Sequence, residues 1–260
     1  MKIATVSLDQ IWEDKEANLM LCEEYIKVAS GESVDLVIFP EMTLTGFSTN
    51  ITQIAESDSS SETIEKFRSL VLRYSIAIIF GVVIKDGDKA LNRLVFIDKN
   101  GIILAKYSKI HPFSFSGEDR YFNAGDRLET VEFLGAKIGF TICYDLRFPE
   151  LYTALAKECD IIVNIANWPS KRVEHWNTLL KARAIENQLF IVGVNRTGKD
   201  ANNLEYVESS RVLNANGESL EAKSIKNMKI FDINTSWTKE FKNNFNTTRD
   251  RKIEFYRGVI

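Results

Sequence analysis

A mixed-sheet α/β layered domain is the fold class this 260-residue sequence predicts, on three observations. Apolar runs of strand length alternate with segments of helical period. Hairpin signals interrupt that alternation. The chain also lacks the GxGxxG or GxxxxGKS/T element of a simple doubly wound nucleotide fold. Hydrophobic residues make up 45% of the chain, ample for one large core, so length alone gives no reason to divide it.

The elements follow in order. KIATVSL (2–8) alternates as a strand, and Asn18 to Ser30 reads as a helix with Leu21, Ile26 and Val28 among its apolar positions. DLVIFP (35–40) is a buried strand stopped by Pro40. The loop EMTLTGFST leads to a helix in SDSSSETIEKFRSLVLRYS, with Ser61 as N-cap and Ile64, Phe67, Leu70 and Val71 at helical spacing. From Ala77 to Ile110 three strands are separated by turns at Asp86-Gly87 and Lys99-Asn100-Gly101. RLETVEFLGAKIGFTIC holds a strand, a turn at Gly135 and a second strand ending at Cys143. Pro149 opens a helix through Leu155, ECDIIVNIAN carries a strand to Asn167, VEHWNTLLKARAIENQ is a helix and LFIVGVN a strand. Two or three more strands lie around Asn216-Gly217, and from Trp237 onward the pattern is mixed and predicts no element.

Charge and cysteine usage exclude several function classes. With 33 basic and 36 acidic residues interspersed, no basic field attracts nucleic acid or an anionic membrane. No apolar stretch reaches the roughly 18 residues of a membrane span, and MKIATVSLDQIWED does not read as a signal peptide. Cys22, Cys143 and Cys159 are odd in number and widely spaced, which argues against a disulfide framework and fits a reducing cytoplasm. Cys22 and Cys159 both fall in stretches read as helical. His111 and His175 stand far apart, so a histidine-based metal site is not expected.

Functional side chains often sit where a strand leaves its sheet. Three apolar runs end in reactive groups: Glu41 after DLVIFP, Lys109 after IILAKYS, and Cys143 after KIGFTI. Alone, Cys143 reads first as a small core hydrophobe, Lys109 as a surface lysine and Glu41 as a loop charge. Together a thiol, an ammonium and a carboxylate suit acyl transfer. The thiolate attacks a carbonyl, the carboxylate shuttles its proton, and the ammonium offsets the oxyanion with a backbone N–H beside the nucleophile.

FPEMTLTGF (39–47), KYSKIHPF (106–113) and GFTICYDLRFPELY (139–152) resemble, in order, the three catalytic segments of the nitrilase (carbon–nitrogen hydrolase) superfamily. A fourth segment, GEDRYFNAGD (117–126), puts Glu118 on the family's supporting glutamate. The resemblance runs from KIATVSLDQ to about residue 220. It implies an α-β-β-α sandwich with two mixed β-sheets, in one domain over 1–260, with a tail from about 237 as a candidate dimer contact. It also implies a homodimer and hydrolysis of non-peptide C–N bonds through a thioester, with no metal or organic cofactor. Cys143 is then the nucleophile, Glu41 the general base and acid, Lys109 the oxyanion stabiliser and Glu118 an orienting group, with Tyr144 giving its backbone N–H to the oxyanion.

Within the superfamily, ICYDLRFPELY and the stretch from Ala166 to Gly198 resemble the omega-amidase branch. That implies a cytoplasmic enzyme releasing ammonia from 2-oxoglutaramate or 2-oxosuccinamate. Its small-molecule partner carries a free carboxylate that needs a cation. Arg147 is the first candidate, its alternative being an ion pair with Asp145 or Glu150; Arg120 is the second. Phe115, Tyr121 and Trp168 are candidate pocket walls. An N-carbamoyl amino acid amidohydrolase, an aliphatic amidase and an inactive binding protein on the same fold are the alternatives. Arg183 with Glu186, and Asn195 with Arg196, read as structural, and His111 as a packing or hydrogen-bonding residue. Relatives usually carry glycines where this chain has Glu208 and Ser209, so the 205–210 loop is expected to alter the pocket.

Overall fold

The structure, a computed structural model, describes residues 1–259. The first half runs β1 (Lys2–Val6), α1 (Lys15–Gly31), β2 (Leu36–Ile38), α2 (Ile51–Ile54), α3 (Glu62–Tyr74), β3 (Ala77–Asp86), β4 (Lys89–Ile97), β5 (Ile103–Ser108) and α4 (Glu118–Tyr121). It continues with β6 (Thr130–Phe133), β7 (Ala136–Ile142), α5 (Pro149–Leu155), β8 (Ile161–Ala166), α6 (Val173–Asn187), β9 (Phe190–Asn195), β10 (Gly198–Lys199) and β11 (Glu205–Tyr206). The last elements are β12 (Arg211–Leu213), β13 (Lys223–Ile225), β14 (Met228–Asp232), α7 (Trp237–Asn244) and α8 (Ile253–Arg257).

Helix starts follow side-chain chemistry. Asp14 accepts from the Ala17 N–H at 3.0 Å ahead of α1, and Ser61 accepts from Ile64 at 3.2 Å ahead of α3, the cap read from the sequence. Pro149 occupies the first turn of α5, where its missing N–H costs nothing.

The strands form a seven-stranded sheet, β13-β14-β1-β2-β3-β4-β5, a five-stranded sheet, β12-β9-β8-β7-β6, and the two-residue ladder β10-β11. Side chains alternate across each strand, giving each sheet two apolar faces. Val37, Phe39, Ile78 and Phe80 pack outward on Cys22 and Ile26 of α1 and Phe67 and Val71 of α3. Ile38, Ile79 and Phe96 face inward to Phe140, Val163 and Val192 of the second sheet. Ile162 and Ile191 cover Leu155 of α5 and Trp176 and Leu180 of α6. This is the four-layer α-β-β-α order.

β2 and β3 are parallel, and β4 reverses the chain twice between β3 and β5, so β5 runs with β2. β7, β8 and β9 are likewise parallel. The carboxyl ends that carry Glu41, Lys109, Cys143 and Asn167 therefore gather at one edge of the sandwich.

Two sequence expectations change. Cys159 lies in the turn between α5 and β8, because the helix stops at Leu155 and the chain folds onto Gly139. A Cβ at Gly139 would fall 2.8 Å from the Cys159 sulfur, so only glycine lets that turn close. The tail, for which no element was predicted, forms α7 and α8: Trp237 of α7 packs on Phe190 at 5.4 Å, and Arg251, in the segment between the two helices, donates from Nη2 to the Glu186 carbonyl at 3.0 Å. No periodicity longer than Trp237 and Phe241 was available to reveal them.

Candidate active site

Glu41 sits three residues past β2 and is wholly buried. Its loop is built around absent bulk: a Cβ on Gly81 of β3 would lie 2.3 Å from the Met42 nitrogen. Thr43 N–H donates to the Gly81 carbonyl at 3.0 Å, and Gly81 N–H to Thr43 Oγ1 at 2.9 Å. Gln10 Nε2 donates to the carbonyls of Glu41, Met42 and Thr43 at 3.0, 2.8 and 3.1 Å. These bonds fix the carboxylate before any ligand arrives.

Lys109, one residue past β5, places Nζ 3.0 Å from Glu41 Oε1 and 3.0 and 2.9 Å from the two oxygens of Glu118. Burial by itself disfavours the ammonium, but the charges of Glu118 and Glu41 outweigh it, and the Lys109 pKa is held well above the usual value. Asn92, on β4, donates from the same Nδ2 to Glu41 Oε1 at 2.7 Å and Glu118 Oε1 at 3.1 Å. The Phe113 N–H binds Glu118 Oε2 at 2.6 Å. Glu118 is the one member of α4 that faces inward; the chain presents it from a single helical turn.

Cys143 turns the chain from β7 into a short 3-10 segment, with φ at +46°, a left-handed value uncommon for any residue but glycine. Asp145 holds that turn. Its carboxylate accepts from the Ile142 N–H at 3.0 Å, Tyr107 Oη at 2.7 Å and the His111 N–H at 3.0 Å, with His111 Nδ1 at 2.8 Å. It thus ties the Cys143 turn to β5 and the segment just past it, where Lys109 lies. From the other side, Arg183 of α6 donates twice to the Leu146 carbonyl, at 3.1 and 2.9 Å, besides pairing with Glu186 at 3.0 Å. Asn167, just past β8, links the sheets: its N–H reaches Glu41 Oε2 at 2.8 Å, and its carbonyl lies 4.0 Å from Cys143 Sγ.

Burial first, then the neighbouring Glu41 charge, push the Cys143 pKa well above the ordinary thiol range, so the resting residue is a thiol. Burial likewise raises Cys22 well above that range and Cys159 to about 12. Unfolded thiols ionise near pH ~8.5, whereas the folded ones keep their protons. Their stabilisation is therefore complete below that pH and is lost progressively as pH rises from there toward the folded values. Urea denaturation is expected to show the fold at least about 2 kcal/mol weaker at pH 10 than at pH 7.5. A stability that is level or rising over that interval contradicts the assignment.

A cavity opens above the thiol. Lys109, Cys143 and Asn167 form its base; Phe47, Phe113, Tyr144, Trp168 and Tyr206 form its walls; Arg147 and Arg172 reach into it. Asp145 is saturated by its other partners and Arg147 pairs with neither it nor Glu150. Arg147 lies instead over the Trp168 ring at 4.8 Å, with Nη2 3.3 Å from His175 Nδ1. Three expected pocket residues do not line this cavity. Phe115 is 88% exposed, and Arg120 and Tyr121 are on the solvent side of α4, the face opposite Glu118. The single turn of α4 can aim only one side of itself inward. The aromatic wall from that segment is Phe113, two residues earlier.

The 205–210 loop reaches the cavity only through Tyr206. Glu208 turns away, accepting from Ser7 Oγ at 3.2 Å and pairing with Lys229 at 2.6 Å, while Ser209 accepts from Asn195 Nδ2 at 3.0 Å. Sequence reading missed Asn92, Asn167, Gln10 and Arg172. Asn167 had a signal, since it follows a strand as Glu41, Lys109 and Cys143 do; the other three had none.

Residues 2–234 match the carbon-nitrogen hydrolase family. Omega-amidase YafV of Yersinia enterocolitica is 36% identical over 218 residues, covering 84% of this chain and 83% of its own. The 2-oxoglutaramate amidase of Bacillus subtilis is 30% identical over 221 residues, covering 84% of each. Among solved structures, XC1258 of Xanthomonas campestris, a CN-hydrolase superfamily protein with an arsenic adduct in its active site, matches over 97% of both chains with a TM-score of 0.89 and 31% identity.

Proposed function

Because this chain belongs to the carbon-nitrogen hydrolase family and is a hydrolase of C–N bonds, we propose that it is an omega-amidase, with Cys143 as its nucleophile and a short dicarboxylic monoamide as its substrate. The observation that carries the substrate class is Arg147. It projects into the cavity above the thiol without an ion pair among the described residues, where a free carboxylate would supply a partner.

In this reading the Cys143 thiol passes its proton to Glu41 as sulfur bonds to the amide carbon. The carbonyl electrons move to oxygen, and the Lys109 ammonium and Tyr144 N–H offset that charge. When the oxyanion collapses the C–N bond breaks, and the nitrogen leaves as ammonia with the proton returned by Glu41. Water, deprotonated by Glu41, then adds to the thioester carbon; as the C–S bond breaks, Glu41 returns its proton to sulfur, and the product leaves as a dicarboxylic acid that gives up its new proton to water. Glu118 and Asn92 hold Lys109 and Glu41 in place throughout. Burial of all three charged groups supports the roles, since preorganised charges act most strongly away from water.

The same reading has one domain in a cytoplasmic homodimer. Its supports are the tail docked on the family's sandwich, three free cysteines, and Phe245, Phe255 and Val259 each 63% exposed on that tail. No described helix is long and apolar enough to cross a membrane.

Ammonia release from 2-oxoglutaramate and succinamate, compared with an N-carbamoyl amino acid, tests the substrate. The expected result is ammonia from the two monoamides with no carbon dioxide. Activity confined to the carbamoyl substrate, with carbon dioxide and ammonia together, overturns it.

A further inference from the structure

We infer that Arg172 is a second substrate-selecting cation, binding the substrate carboxylate together with Arg147 and making the site selective for anionic over neutral amides. The inference rests on the omega-amidase reading and adds to it a residue and a selectivity.

Arg172 lies at the end of a 3-10 turn, Ser170–Arg172, that leads into α6. The turn is anchored at two points: Trp168 Nε1 donates to the Arg172 carbonyl at 2.7 Å, and Ser170 Oγ to the Glu205 carbonyl at 2.7 Å. The Trp168 ring held by the first bond is the ring under Arg147, so one indole carries the Arg147 guanidinium and ties down the Arg172 backbone. Arg172 is itself braced on the cavity wall, its guanidinium 5.5 Å from the Phe113 ring centre. Both guanidiniums line the chamber whose base is Cys143.

Neither arginine pairs with a carboxylate among the described residues, although arginines elsewhere do, as Arg183 with Glu186 and Arg93 with Asp58. Burial, and after it the charge of Arg172, lower the Arg147 pKa from the ordinary arginine value. Two like charges in one partly buried mouth are unfavourable until an anion enters. A carboxylate offers about four lone-pair positions, enough for both planar forks. An amide ending in a methyl group would instead leave the two cations unneutralised.

The test compares succinamate with butyramide, the same chain length with methyl in place of carboxylate, in wild type, Arg172→Met and Arg172→Lys. For Arg172→Met, kcat/KM on succinamate is expected to fall about 10- to 100-fold, with butyramide changed less than about 3-fold. Arg172→Lys is expected to recover part of the loss, since charge returns without the fork. An equal fall on both amides assigns Arg172 a structural role and overturns the inference. No fall on succinamate also overturns it while leaving the omega-amidase reading intact. A wild type that prefers butyramide to succinamate overturns both.

Discussion

Cys143→Ala is expected to lose at least about 10⁴-fold in kcat on every amide substrate while unfolding in urea at the wild-type midpoint. No other thiol can take its place: Cys22 and Cys159 are buried in the two outer layers, away from the cavity. The stability half of the expectation follows from electrostatics. Burial and the Glu41 charge both oppose the thiolate, so the resting sulfur makes no favourable charge interaction that alanine would remove. Mass spectrometry during turnover adds a positive readout, since wild type should carry an acyl adduct on Cys143 and the variant none. Residual activity within about 100-fold of wild type would remove Cys143 from the nucleophile's role.

Lys109→Met is expected to cost stability as well as activity, and the pairing of the two losses is diagnostic. Glu41 and Glu118 share this ammonium at 3.0 and 2.9 Å, and both are fully buried. Removing one partner of a buried ion pair leaves charge uncompensated and typically costs about 3–5 kcal/mol; here two carboxylates lose their cation at once. Loss of an oxyanion donor should lower kcat by about 10²–10³-fold in whatever fraction stays folded. Asn92 and the Phe113 N–H remain as donors to the carboxylates, so the variant should still fold, at a lower urea midpoint. Wild-type stability with reduced kcat would mean that Lys109 serves chemistry alone. Reduced stability with unchanged kcat per folded molecule would remove it from the oxyanion.

Much of this site was legible before the fold was known because its reactive groups follow strongly apolar strands. A run such as KIGFTI ends abruptly at a polar or reactive residue, and the resemblance to a known family then gave Glu41, Lys109, Glu118 and Cys143 their places. The supporting residues were not legible. Asn92 sits mid-strand in ALNRLVFI, where alternation explains its neighbours and nothing marks its Nδ2 as the bridge between two carboxylates. Phe115 and Phe113 are indistinguishable by composition; only the course of the chain before α4 turns one out to 88% exposure and the other inward.

The sequence by itself determined the layered α/β class, the order of the strands through β9 with the longer helices between them, the polar residues that follow those strands and the family resemblance; the single-turn helices α2 and α4 carry too little periodicity to be read. These depend on local periodicity, caps and short motifs, which act over a few residues. Tertiary structure alone decided which arginines face the thiol, how Asp145 and Arg183 clamp the Cys143 turn, and where the tail docks. Those outcomes depend on side chains far apart in the chain meeting at one sandwich edge, as Asn167 meets Glu41 across 126 positions. Pairings at such separation are set by the packing of two sheets face to face, and no window along the chain contains both partners.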